Sequence, residues 1–89
     1  MIDVEKELAA QGYSLETWAN GPGAAYPVHD HPYHKVIVVQ KGSITFRLTQ
    51  VRQSFDLKAG DRLELPARTP HSALVGPEGV TCLEGHRDS

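Results

Sequence analysis

Eighty-nine residues are enough for one domain and too few for two, and a chain this short buries only a little over roughly 60% of the surface its unfolded form exposes, so a metal ion or a partner contact would add useful stability. Nine basic and eleven acidic side chains leave a net charge of −2 with no run of like charge, which excludes the basic footprint of a nucleic-acid or anionic-membrane binder. The longest run of large apolar residues, Val36 to Val39, is far short of the roughly 20 needed to span a bilayer.

The opening residues Met1 to Glu7 lack the basic start and apolar core of a secretory signal, and the single cysteine, Cys82, cannot close an internal disulfide. A cytoplasmic protein is the expectation. Residues 3 to 12 are predicted as a short helix: Asp3 can cap the first amides, Glu5 and Glu7 suit the positive end of the dipole, and Gly12 stops it. Val4 and Leu8 share one face. Lys6 stands where a full capping box would have Glu or Gln. The chain divides into a helical leader (1–12), one barrel (13–85) and a polar tail (86–89).

From Tyr13 onward short segments bounded by Gly and Pro give the pattern of an all-β sandwich or barrel. Strands are expected at Tyr13 to Ala19, Ala25 to His31 and Lys35 to Gln40, the first two separated by a turn at Asn20 to Gly23. Lys41 and Gly42 turn into Ser43 to Gln50, where Ile44, Phe46 and Leu48 alternate with Thr45, Arg47 and Thr49, the period of a half-buried strand. Ser54 to Leu57, Arg62 to Leu65, Ser72 to Val75 and Val80 to Glu84 follow, with turns at Ala59 to Asp61 and Gly76 to Gly79. Consecutive apolar residues on a strand face opposite ways, so Val36 to Val39 needs cover on both sides. One side should be the barrel interior and the other covered by a second sheet or a partner chain; a small domain has little material of its own for that, and a homodimer is expected.

Of the five histidines, His29 and His31 stand two apart on a predicted strand, where both can offer imidazole nitrogens to one ion. Asp30 and His34 have the opposite parity, and His86 falls in the tail. A bare His-x-His is equally at home on an exposed edge strand. Its surroundings differ here: Gly23 precedes His29 by six residues and Gly42 follows His31 by eleven, while Gly60 is followed by Pro66 at six and His71 at eleven. The stretch from Gly23 through His29, His31 and Lys35 to Gly42 resembles the first motif of the cupins, and Gly60 through Pro66 to His71 resembles the second.

The resemblance, which runs from Gly23 to about Val75, implies a small cupin jelly-roll β-barrel holding one divalent metal ion. Carried over position by position, the histidine ligands become His29, His31 and His71, and the usual glutamate ligand falls on Lys35. An ammonium has no lone pair to give and opposes a nearby cation. It can coexist with a metal by bending to the barrel mouth, by pairing with a carboxylate, or by losing its proton. Arg68 stands where the second motif usually has glycine. Three neutral imidazoles suffice for a catalytic ion, for which zinc, iron, nickel, copper and manganese are all candidates. Tyr33 and Lys35 are candidate substrate contacts, with Ile37, Phe46 and Leu63 as apolar walls. Cys82, without a second cysteine, is expected to pack as a small apolar group, with an approach to the pocket if its parity aims it inward. Two functions fit: a metal-dependent enzyme such as an oxygenase or isomerase acting on a small polar molecule, or a non-catalytic binding, storage or sensor module whose metal site is emptied by Lys35.

Overall fold

The computed structural model describes residues 3–88. The first two residues of the predicted leader and the last of the tail lie outside the described residues. The helix α1 spans Val4–Ala10, with the Asp3 carboxylate accepting hydrogen bonds from the amides of Glu5 and Lys6 at 3.1 and 3.2 Å. Gly12 follows at φ +89°, a left-handed stop that suits glycine. Two turns of helix are not stable alone in water, so α1 depends on what it packs against. That anchor is the fully buried Leu8, which meets Val36, Val38 and Leu83.

Six strands follow: β1 Ser14–Asn20, β2 Ala25–His29, β3 His34–Leu48, β4 Gln53–Lys58, β5 Arg62–Leu65 and β6 His71–Arg87. The long strands β3 and β6 pair antiparallel from His34 opposite Arg87 to Leu48 opposite His71, and form the spine. At one end β1 adds to the second half of β6 and β5 to the first half of β3; at the other, β2 adds to the start of β6 and β4 to the end of β3. This gives two four-stranded layers, continuous through the bent spine, with Ile37, Val39, Ile44, Phe46, Val75 and Cys82 buried between them.

Two expected turns are bends within the long strands. Lys41 and Gly42 do not reverse the chain, and Gly76 to Gly79 is a bulge: from Ile44 opposite Val75 to Gly42 opposite Val80, two steps on β3 face five on β6. Close backbone approach makes the bend. Gly42 has φ +73°, and a Cβ there would lie 1.9 Å from the carbonyl oxygen of Gly79.

The Val36 to Val39 run is buried on both faces, as expected, but by the chain itself. Ile37 and Val39 face the interior, while Val36 and Val38 lie under α1 with Leu15 and Tyr13. The run therefore needs no partner chain. The expected tail is also shorter: β6 continues through His86 and Arg87 because β1 pairs with it on one side, Ser14 opposite His86, and β3 on the other, Lys35 opposite His86. No helix among the described residues is long and apolar enough to cross a membrane.

Candidate metal centre

His29 and His71 are direct cross-strand partners between β2 and β6, so their side chains rise on the same inward face, ring centroids 4.4 Å apart. His31 follows in the loop after β2. Its backbone carbonyl accepts from the Arg68 amide at 2.7 Å, which ties the first histidine segment to the turn before His71. Its ring lies 4.7 Å from that of His29 and 5.4 Å from that of His71. One ring nitrogen from each histidine falls within 4.8 Å of the others.

Hydrogen bonding fixes which nitrogens are free. The Nδ1 atoms of His29 and His71 lie 2.8 Å from the carbonyl oxygens of Pro27 and Thr69. A carbonyl can only accept, so each Nδ1 carries the proton and each Nε2 keeps its lone pair. His31 Nδ1 lies 3.2 Å from the Tyr33 hydroxyl, which can accept from it in the same way. The Nε2 atoms of His31 and His71 are buried without a hydrogen-bond partner. Burial holds the imidazoles of both residues below their usual pKa; at His71 a hydrogen bond to Thr69 works against this, and the charges of His29 and Lys35 add to it. Neutral rings, protonated on the far nitrogen and with orphaned near nitrogens, are the donor set a divalent metal requires.

His29 and His71 line a cavity of about 280 Å³, walled by Trp18, Asn20, Tyr26, Ile44 and Phe46 and reached by Lys35 and Glu84; His31 stands beside it, against the other two rings. Of the predicted pocket residues, Lys35 and Phe46 line it. Ile37 and Leu63 pack in the apolar interior instead, and Tyr33, which does not line the cavity, stacks on His31, centroids 5.0 Å apart. His34 lies outside the trio and accepts from the Ala67 amide at 3.3 Å. Cys82 is fully buried in the core, its thiol pushed up to about 11 chiefly by burial and further by the Glu84 charge, so it is no nucleophile at neutral pH.

Lys35 meets a carboxylate, one of the ways in which it can coexist with an ion. Its ammonium lies 3.0 Å from Glu84 Oε1, and the two side chains are 11% and 7% exposed. The indole Nε1 of Trp18 donates to the same oxygen at 3.0 Å, and His86 Nε2 faces Oε2 at 2.5 Å. Burial pushes the Glu84 carboxyl up, but the Lys35 charge and the hydrogen bonds with Lys35 and His86 outweigh it and hold the group below its usual range. Sequence reasoning missed Glu84 and placed His86 in a tail. A signal existed: Val80, Cys82, Glu84 and His86 share one parity, so a strand that buries Cys82 carries the other two inward as well. Glu16 also approaches Glu84 and His86, but Glu84 is already committed to Lys35, which leaves that trio poorly suited to an ion.

The model of the family described as Cupin domain matches residues 17–83. The chain belongs to the cupin family. No curated protein matches it in sequence. Among solved structures, the polyketide cyclase RemF from Streptomyces resistomycificus superposes on this cupin with a TM-score of 0.75 and 22% identity over 86% of this chain and 55% of its own. The DMSP lyase DddQ from Ruegeria pomeroyi DSS-3 gives 0.77 and 21% over 84% of this chain and 38% of its own. An RmlC-like cupin from Shewanella frigidimarina NCIMB 400 gives 0.74 and 22%, over 86% and 67%. The cupin here thus spans about half or less of the length of the first two, and at these identities the likeness speaks for the fold.

Proposed function

We propose that His29, His31 and His71 hold one divalent metal ion, and that the cavity beside it admits a small molecule on which the loaded protein acts as a metal-dependent enzyme. The observation that carries this is the pair of buried, unpartnered Nε2 atoms on His31 and His71, beside a His29 whose Nδ1 is already committed to a carbonyl. Burying such atoms without a partner costs roughly 1–3 kcal/mol each, and an ion would recover it. Three protein ligands leave further positions open, so a bound ion would supply a Lewis acid exposed to the cavity. The protein's own residues supply the rest. Pro27, Thr69 and Tyr33 orient the three rings, Trp18 and Phe46 exclude water, and Lys35 presents a proton donor beside the same space.

Elemental analysis of the purified, tag-free chain tests the reading. About one equivalent of divalent metal per chain is expected in the native protein and none in a His29→Ala/His71→Ala variant. Equal metal content in the two would overturn it. Turnover of small diketones, thiols and carboxylates by the loaded protein then separates an enzyme from a binding module.

A further inference from the structure

The charges around the cavity cancel before an ion arrives and do not cancel afterwards. Lys35 and Glu84 are the charged side chains among its lining residues, and they neutralise each other at 3.0 Å. Glu84 is already engaged, because Oε1 accepts hydrogen bonds from Lys35 and Trp18 while Oε2 faces His86. The three imidazoles bind as neutral rings. A divalent ion held by them keeps its whole charge inside a small space with largely apolar walls, which is costly unless an anion joins it. Lys35 adds to that demand: one of its three ammonium protons satisfies Glu84, and the others can serve a ligand.

Size and wall chemistry narrow the anion. About 280 Å³ corresponds to roughly nine water volumes. That admits a molecule of about ten non-hydrogen atoms. Trp18, Tyr26 and Phe46 offer flat apolar surface, with Trp18 and Tyr26 meeting edge to face at 6.0 Å. A sugar would leave most of its hydroxyls without partners against such walls.

We propose that the site selects small monoanionic ligands with a flat apolar body, such as an aromatic or unsaturated carboxylate, the acid group within reach of both the ion and Lys35 Nζ and the body against Trp18, Tyr26 and Phe46. This rests on the metal-binding reading above and extends it to a ligand class.

The test uses zinc-loaded protein, benzoate as the probe and benzamide as its neutral counterpart. Binding is followed by calorimetry and by the fluorescence of Trp18, the chain's single tryptophan, which lines the cavity. Benzoate is expected to bind at least tenfold more tightly than benzamide, and at least tenfold more weakly when zinc is removed. A Lys35→Met/Glu84→Gln variant removes both charges together and strands neither. It should take up zinc and bind benzoate at least fivefold more weakly. If this variant fails to fold, the benzoate, benzamide and zinc-free comparisons on native protein still decide. No zinc uptake by the native chain overturns both the metal reading and this one. Zinc uptake with equal affinities for benzoate and benzamide, or with benzoate affinity unchanged by removing zinc or Lys35, overturns this inference alone.

Discussion

Lys35 and Glu84 are paired at 3.0 Å inside the barrel with about nine-tenths of each side chain buried. Such a pair is weak evidence for stability by itself, because desolvating both charges offsets much of their attraction. Removing one partner is a different matter, since the other is left buried and uncompensated. Lys35→Met and Glu84→Gln should each lower the free energy of unfolding by about 3 kcal/mol in urea titrations, a large share of what a small domain has. The double variant should lose clearly less than the sum, with a coupling of at least about 1 kcal/mol. Additive losses would mean that the two side chains do not act as a pair.

Acid should lower the stability of the protein through two pH windows. His31 and His71 are held below their usual pKa by burial, so the unfolded chain takes up protons first as pH drops below about 6.5, and stability falls there until the folded rings titrate. Glu84 is likewise held low, against its burial, by Lys35 and His86. Its contribution is fully present above the unfolded carboxyl value of about 4.3 and is lost as pH falls through the folded one. Urea midpoints measured from pH 8 to pH 3 should decline through both windows, and Glu84→Gln should flatten the lower one. A midpoint that rises on acidification would contradict these signs.

Position 35 also bears on the metal. Lys35→Glu alone would set two buried carboxylates side by side, and one would stay protonated. With Glu84→Gln added, the new carboxylate on the cavity wall shared with His29 and His71 is free to ligate. Zinc or nickel should then bind at least tenfold more tightly than to the native protein by calorimetric titration. Equal or weaker affinity would show that position 35 does not reach the ion.

What the sequence disclosed, and what it withheld, follows the range of the interactions. Arg62 to Leu65 and the alternating stretch around Ile44, Phe46 and Leu48 are local patterns, and both are strands as expected. His29, His31 and His71 were legible from motif spacing. Glu84 and His86 acquire their roles from Lys35 and from strand pairing with residues more than 40 positions away, which no local window contains. The cover over Val36 and Val38 was missed for a related reason: a seven-residue helix docks only through tertiary contact. Gly42 and Gly76 to Gly79 carried the composition of turns. A bulge asks the same freedom of glycine, so composition alone does not separate the two.

Gly42 offers a direct test of that bend. Its φ of +73° and the backbone carbonyl of Gly79 at 1.9 Å from any added Cβ leave no side chain to move aside. Gly42→Ala should cost on the order of 3 kcal/mol or more, a large share of the stability of a small domain. The opposite end of the scale is Gly60→Ala, which also has positive φ but nothing near its Cβ, and should cost about 1 kcal/mol. Similar losses at both positions in urea titrations would mean that β3 and β6 do not approach closely at the bend.

Arg68 presents the reverse case, a side chain where glycine would be easier. It lies in the turn before His71 at φ +65°, a left-handed conformation that costs a non-glycine residue roughly 1–2 kcal/mol. The conformation persists because the Arg68 amide donates to the His31 carbonyl at 2.7 Å, holding the loop that carries one candidate ligand against the turn that carries another. Arg68→Gly removes the strain and keeps the hydrogen bond, at an entropic cost of roughly 0.5–1 kcal/mol in the unfolded chain. A net gain of up to about 1 kcal/mol should follow, raising the melting temperature by about 5 °C with zinc affinity unchanged. Arg68→Pro both forbids the positive φ and deletes the donor, so it should loosen His31 and weaken zinc binding at least tenfold. Destabilisation by glycine would show that position 68 is not strained, and full zinc affinity in the proline variant would show that this turn does not position His31.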